Sequence, residues 1–283
     1  MLDEADRMLD MGFIPDIKRI IAKLPSHRQS LFFSATLEPQ VVALARSFVH
    51  DPVHITITPE KPTVDLIKQC VYFVDRDKKD VLLTELVRDP AVKRVIVFTL
   101  MKHVANKVAR MLNHAGIRAD AIHGNKSQGA RTATLNAFRR GTVRVLVATD
   151  IAARGIDIDD ITHIINYELP NEPETYVHRI GRTARAGAGG DAVSFCSASE
   201  RDYLRSIERF IHKQIDVVRD HHYHSESAMN AIGASARPLP RGNRGSWRSG
   251  AHRNTSHGRP QSVGYGGASR GRGHSSGRGY GRR

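Results

Sequence analysis

The chain has 283 residues, 40% of them apolar, enough for one large domain or two smaller ones with a core. No apolar stretch is long enough to cross a membrane, and the opening residues carry no signal-peptide pattern. Cys70 and Cys196 sit in separate apolar runs without a CxxC pair, which argues against disulfide frameworks and thiolate metal clusters and points to a reducing compartment, the cytoplasm. The formal net charge of +14 is unevenly spread: residues 221–283 hold eleven Arg, no Lys and one acid, Glu226, so they carry +10 and leave only +4 for the first 220 residues.

In chain order, Asp3-Glu4-Ala5-Asp6 comes first, an acidic cluster placed just after an expected strand end. Such acids can hold Mg²⁺ and activate water for phosphoryl transfer, although the same string also suits a solvated helix start. Residues 29–35 read as a strand, Pro39–Phe48 as a helix and 53–57 as a second strand. These are too few elements for an independent sheet. Met1-Leu2 runs straight into the acids, so residues 1–57 are expected to be the back end of a truncated domain, with Met1 a misplaced start or a fragment edge. Residues 58–66, with Pro59 and Pro62, read as a linker.

Over 67–218 short apolar runs alternate with amphipathic ones. Strand-like runs rich in Val and Ile occupy 69–74, 94–98, 143–148, 161–166 and 192–196. Val104, Val108, Met111 and Leu112 fall at helical spacing, with Gly116 as a stop. Leu204, Ile207 and Ile211 mark a further helix, opened by Ser199 with Asp202 three residues on. Strict alternation predicts an α/β fold, a parallel sheet with helices on both faces. From residue 219 periodicity fades into Gly, Ser and Arg, with Arg-Gly pairs at 241, 244, 270, 272 and 278. Residues 219–283 are therefore expected to be a disordered basic tail. His221, His222 and His224 read as tail composition rather than as a metal site.

Two further groups carry candidate chemistry. His178, Arg182 and Arg185 stand at i, i+4 and i+7, which predicts one face of a helix: either a solvated basic face or arginines for the charge of a transferring phosphoryl group. Gly181 in mid-pattern weakens a plain helix by about 1 kcal/mol relative to Ala, which hints at a backbone with a task. The segment from Ala148-Thr149-Asp150 to Arg154-Gly155-Ile156-Asp157 follows a buried strand, where open α/β sheets bind ligands. Thr149 and Asp150 could equally cap a helix, and Gly155 could be a turn.

Taken in order, six strings resemble the DEAD-box helicase family: LDEADRMLDMGF at 2–13, SAT at 34–36, VIVFT at 95–99, HGNKSQGAR at 123–131, ATDIAARGID at 148–157 and HRIGRTAR at 178–185. The run DRMLDMGFIPDI and the Arg-rich tail look most like the bacterial RhlE-type subgroup. The resemblance implies a second RecA-like domain preceded by part of a first one, and ATP-driven unwinding or remodelling of RNA. It implies that Asp3 orients Mg²⁺ through its water shell, Glu4 polarises the attacking water, and Asp6 couples the site to Ser34 and Thr36. Asp157 is expected at the ATP ribose, Arg182 and Arg185 as arginine fingers beside His178, and Gln128, Arg131, Thr149 and Gly155 at the RNA backbone. RNA is expected as partner, with little sequence preference and the protein a monomer. The sequence departs from the family pattern at Met101, where a Thr is common, and at Ala184, where Gly is usual. No G-x-x-x-x-G-K-[ST] string occurs in the chain, so by itself it is expected to lack ATPase activity and to act as an RNA-binding module.

Overall fold

The computed structural model describes residues 1–10, 12–34, 37, 39–56, 67–153, 158, 160–183 and 189–237. The expected linker at 58–66 and the Arg-Gly repeats lie outside the described residues.

Seven strands form one all-parallel sheet: β1 (Ile67–Phe73), β2 (Val95–Phe98), β3 (Ala119–Ile122), β4 (Val145–Ala148), β5 (His163–Asn166), β6 (Gly190–Cys196) and β7 (Asp216–Val218). Their order across the sheet is β3-β4-β2-β5-β6-β1-β7. The sheet has a core on each face, so the inner strands are apolar at every position, as β2 and β4 show. Val95, Val97, Val145 and Val147 face helices α4 (Lys79–Arg88) and α5 (Lys102–His114), with Leu83, Val108 and Leu112. On the opposite face Ile96, Phe98 and Leu146 pack on Phe138 of α6 (Gln128–Arg139). Beside them Val71 and Phe73 meet Tyr176 and Ile180 of α7 (Pro173–Ile180) and Leu204 and Ile207 of α8 (Arg201–Phe210). The RecA-like α/β fold expected from the alternation is thus present.

Differences from expectation have local causes. The strand β3 reads Ala-Asp-Ala-Ile, too short and too poor in branched residues to signal itself. The edge strand β7 has three residues, two of them exposed. The cap before α8 lies two residues earlier than Ser199: Ser197 and Glu200 form the reciprocal capping box around a 3₁₀ turn, and α8 starts at Arg201. Glu200 is drawn to that place by a second partner. The ammonium of Lys79, 2% exposed, donates to Glu200 Oε2 at 2.5 Å and to the Tyr167 carbonyl at 2.8 Å. Glu200 also accepts from the Leu169 amide, so this buried ion pair pins the segment leaving β5.

Residues 1–56 form helices α1 (Ala5–Asp10), α2 (Ile14–Ile21) and α3 (Pro39–Phe48), the last as expected. The expected strand at 29–35 is reduced to one parallel bridge, Leu2 to Phe32. The expected strand at 53–57 does not form over 53–56, where Val53 and Ile55 are 87% and 82% exposed, with no neighbouring strand to satisfy them.

At the other end, folded structure continues past residue 219. The Ser225 amide donates to the Phe73 carbonyl and its hydroxyl to Asp75, at 3.0 and 2.6 Å. Helix α9 (Glu226–Met229) buries Ala228 in the α7–α8 core, and Arg201 and Arg205 donate to the carbonyls of Met229 and Ala231. The His221 ring lies tilted against Tyr72 at 5.0 Å and edge-on to His224 at 5.5 Å. Neither cysteine is in a disulfide, and burial pushes the Cys70 and Cys196 thiols up to about 11 and about 12, which leaves them poor nucleophiles.

Candidate functional site

The C-terminal ends of β2, β4 and β5 open onto a shallow cleft lined by Phe98, Asp150, Ala153, Thr175, His178, Arg179, Arg182 and, from the N-terminal segment, Glu4. Its organiser is Arg179, which the sequence reading left out. Arg179 is 2% exposed. Its Nε and Nη2 donate to the two carboxylate oxygens of Asp150 at 2.6 and 2.9 Å, a bidentate pair. Its Nη1 donates to Asn166 Oδ1 at 3.0 Å and to the Glu168 carbonyl at 2.7 Å, and its guanidinium lies 5.0 Å above the Phe98 ring. One side chain therefore ties α7 to the ends of β2, β4 and β5. Glu168 extends the link by accepting from the Leu100 amide at 2.8 Å.

Of the expected helical face His178–Arg182–Arg185, His178 is helical and Arg182 lies beyond the helix end. Helix α7 ends at Ile180, and Gly181 is its C-terminal cap. The amides of Arg182 and Thr183 then bond three residues back, to Arg179 and Ile180, so the chain tightens into a turn. Gly181 thus stops the helix; a Cβ there would meet the Val177 carbonyl at 3.2 Å. The turn swings Arg182 across the cleft, where Nη2 stands 3.6 Å from Glu4 Oε1. Its position is fixed from behind: Thr183 is buried, its hydroxyl donates to the Ile161 carbonyl, and it sits where a Cβ on Gly190 would be, 2.2 Å from Thr183 Oγ1. Arg185, with Ala184, lies outside the described residues.

The acidic cluster is a bent turn. Glu4 has a φ of 52°, rare for a residue with a side chain, and its amide donates to Asp3 Oδ1 at 2.9 Å. Asp6 is buried at the start of α1, and its amide donates to Ser34 Oγ at 3.2 Å, which joins the first and second strings. Thr36 is outside the described residues. Among the described residues there is no cluster of three His, Cys, Asp or Glu arranged to hold a metal ion directly.

A second constellation lies beyond β3 and β4. Thr149 is buried, and its carbonyl accepts from the amides of Ala152 and Ala153. Gly155 and Asp157 are outside the described residues. Gln128 opens α6, exposed, and its Oε1 accepts from Arg131 at 3.3 Å. Ser127 caps that helix, accepting from the Ala130 amide. Lys126 and Thr134 both donate to Asp120; burial alone would raise that carboxyl, but these bonds outweigh it and hold it below the usual carboxylate range. His123 is held below its ordinary value, first by burial and then by the charges of Lys126 and Lys102. Met101, where the family pattern has a hydroxyl, is the N-cap of α5 and supplies no side-chain cap bond.

The arrangement joins an acidic turn, a facing arginine and a helix N-terminus with polar side chains, all at one end of a parallel sheet. The sequence pattern found the acids and Arg182. It could not reveal the partnership of Arg179 with Asp150, which are twenty-nine residues apart.

Comparison with known proteins agrees with this architecture. Residues 77–187 match the family described as helicase conserved C-terminal domain, and residues 1–44 match DEAD/DEAH box helicase. The DEAD-box ATP-dependent RNA helicase CshA of Bacillus subtilis is 41% identical over 220 residues, covering 78% of this chain and 44% of that protein. CshA of Geobacillus kaustophilus is 42% identical over 216 residues, covering 76% of this chain and 46% of its own. The chain therefore spans less than half the length of these relatives. Among solved structures, Dbp5 of S. cerevisiae bound to RNA and ADP BeF3 superimposes with a TM-score of 0.69 at 32% identity, covering 77% of this chain and 58% of that one. The E. coli DEAD-box protein SrmB, solved with RraA, gives 0.55 at 38% identity, covering 56% of this chain and 95% of that one. These matches support the family and not the RhlE-type subgroup in particular. Both family signatures, in order and on the fold that carries them, show that the chain belongs to the DEAD-box helicases.

Proposed function

We propose that the chain is the portion of an ATP-dependent RNA helicase that carries the water-activating acids and the second domain's arginines. The observation that carries this reading is the meeting of Arg182, at the end of α7, with Glu4 at 3.6 Å across the cleft. An acid able to take a proton from water and a guanidinium able to stabilise charge on a phosphoryl group occupy the same space.

Mg²⁺-ATP would supply the phosphoryl bond whose hydrolysis drives the cycle. Asp3 and Glu4 fit a hydrated hard cation, since both are oxygen ligands at an exposed turn. Glu4 orients the attacking water, and the strained backbone there holds its carboxylate towards the sheet domain. Arg182 approaches from the opposite wall, with Arg185 and His178 beside it in the sequence and Asp157 for the ribose. Arg179 keeps α7 in place. Asp6 and Ser34 transmit the state of the acids to the segment that follows, where Thr36 belongs. RNA lies along Gln128, Arg131, Thr149 and Gly155, read through phosphates and 2′-hydroxyls. In the native protein isolated from its own cells, Glu4→Gln and Arg182→Ala should each abolish RNA-stimulated phosphate release. Release unaffected by both substitutions would remove the reading.

For the 283 residues alone we infer RNA binding without ATP turnover. No phosphate-cradling G-x-x-x-x-G-K-[ST] lies among them, whereas a seven-stranded parallel sheet and a strongly basic last part of the chain do. A deletion that tests this must begin after Arg237, because residues 221–237 pack into the domain. Removing 238–283 should abolish most of the affinity for single-stranded RNA, with the remainder less salt-dependent. RNA-stimulated turnover by the purified chain would overturn the inference.

A further inference from the structure

The opposite end of the sheet carries a feature that the cleft does not use. Arg118, Arg144 and Arg94 each stand one residue before a strand, β3, β4 and β2 respectively, and these three strands are neighbours. The pairing of Ala119 with Val145 and of Val145 with Val95 places them at one level. Backbone bonds confirm the row: the Arg144 and Val145 amides both donate to the Arg118 carbonyl, and the Val95 amide donates to that of Arg144. Adjacent parallel strands lie about 4.8 Å apart, so three guanidinium-bearing residues stand abreast within about 10 Å. Arg140, exposed, flanks them at the end of α6, and Arg94 Nη2 reaches the Arg139 carbonyl at 3.4 Å.

Like charges side by side on neighbouring strands repel. The acids of this edge relieve the row at one end only. Asp160 is 3.6 Å from Arg94, and Asp89 and Asp191 are close enough to act on His163 of β5. Among the described residues no carboxylate lies within ion-pairing distance of Arg118 or Arg144. The Nε and Nη2 of Arg144 are enclosed and have no hydrogen-bond acceptor. The dipole at the end of α6 accounts for cations on that helix, Arg139 and Arg140, but not for those on the strands.

We propose that this edge is a second phosphodiester-binding surface, separate from the cleft and about four residues of strand away from it. It deepens the helicase reading by placing part of the same RNA, or a neighbouring strand, on the far side of the second domain. The exposed guanidinium groups of Arg118 and Arg140 suit a phosphate chain, since each can take two oxygens of one group, and Arg144, whose Nε and Nη2 are enclosed, contributes its charge. Binding that rests on phosphates should be largely blind to base identity.

The test uses the full chain, a short fluorescent oligouridylate and affinity measured across a salt series. Arg118→Gln with Arg140→Gln, both at exposed positions, should flatten the dependence of log affinity on log salt by about 1.4, the loss of two single-strand phosphate contacts. Arg118→Lys with Arg140→Lys should restore the slope, which excludes a folding defect. An unchanged slope in the Gln pair overturns the proposal. So does an unchanged RNA slope combined with lost binding of polyglutamate, which would make the edge a surface for acidic proteins. RNA-stimulated ATP turnover of the native protein carrying the Gln pair separates the two readings. Turnover with an unchanged slope sinks only the edge; a flattened slope without turnover in the parent protein sinks only the helicase assignment.

Discussion

The two ends of the sheet treat arginine in opposite ways. At the C-terminal end, Arg179 is buried and every part of its guanidinium is matched: two oxygens of Asp150, the amide oxygen of Asn166, the Glu168 carbonyl and the Phe98 ring. At the N-terminal end, Arg118 and Arg144 stand in a row of like charge with no carboxylate partner among the described residues. Removing an ion from water costs several kcal/mol, so a buried cation persists only where its surroundings are built to receive it. Arg179 is therefore part of the scaffold. Of the far-edge cations Arg94 has Asp160 beside it, but Arg118 and Arg144 have no carboxylate partner among the described residues, and an anion that neutralises them would come from outside.

The largest effects are expected where the wiring is most complete. Lys79→Ala leaves Glu200 charged and buried and should cost about 3–5 kcal/mol by urea denaturation, whereas Lys79→Met with Glu200→Gln should recover much of it. Arg179→Ala should cost about 3 kcal/mol, slightly less because Asp150 keeps some access to water. Arg179→Lys should fail to rescue, since an ammonium cannot span both carboxylate oxygens.

Gly190→Ala comes next. Its new Cβ would meet Thr183 Oγ1 at 2.2 Å, and β6 is a central strand that cannot move aside. Overpacking of this kind costs about 1–3 kcal/mol. Because Thr183 follows Arg182, RNA-stimulated turnover of the native protein should fall along with stability. Thr183→Ala in the same chain, which removes both the clashing hydroxyl and the clashing methyl, should return part of both.

Protonation then probes each end separately. His123 follows β3 at the cleft end and His163 begins β5 at the other; burial holds both below their ordinary value of 6.5. The folded state therefore binds protons less readily than the unfolded one. Each histidine's contribution is fully present above about 6.5 and is lost as pH falls through the lowered folded value. The melting temperature should drop over that window, and His123→Gln and His163→Gln should each flatten the drop. At His163 the nearby Asp191 and Asp89 oppose the burial, while at His123 the charges of Lys126 and Lys102 reinforce it and Asp120 opposes it.

What the sequence disclosed follows the same division. Five strands were legible because strands buried on both faces are continuous apolar runs; β3 was hidden because Ala and Asp lack that signal. Helices α3, α5 and α8 announced themselves by spacing, but α7 was read too long, since Arg182 and Arg185 continue its period past Gly181. At the site, Glu4 and Arg182 were found by pattern. Arg179 was not, although it lies within the same string, because its importance rests on Asp150 in a strand apart by sequence and adjacent in space. The packing of residues 221–237 was equally hidden: Ser225 and Ala228 look like tail composition until Asp75 and the α7–α8 core are beside them.

The smallest effect is the most discriminating. Arg118→Gln should change stability by no more than about 0.5 kcal/mol, as for surface positions without a structural partner. Its sign should be favourable, because the substitution removes one of two like charges facing each other on β3 and β4. A loss of 2 kcal/mol or more, on the order expected of a buried ion pair, would show that Arg118 is held by the fold as Arg179 is. A neutral or slightly stabilising change combined with a flatter salt dependence of RNA affinity gives the opposite result. It would mean that the chain tolerates repulsion at this edge for the sake of an anion it does not itself contain.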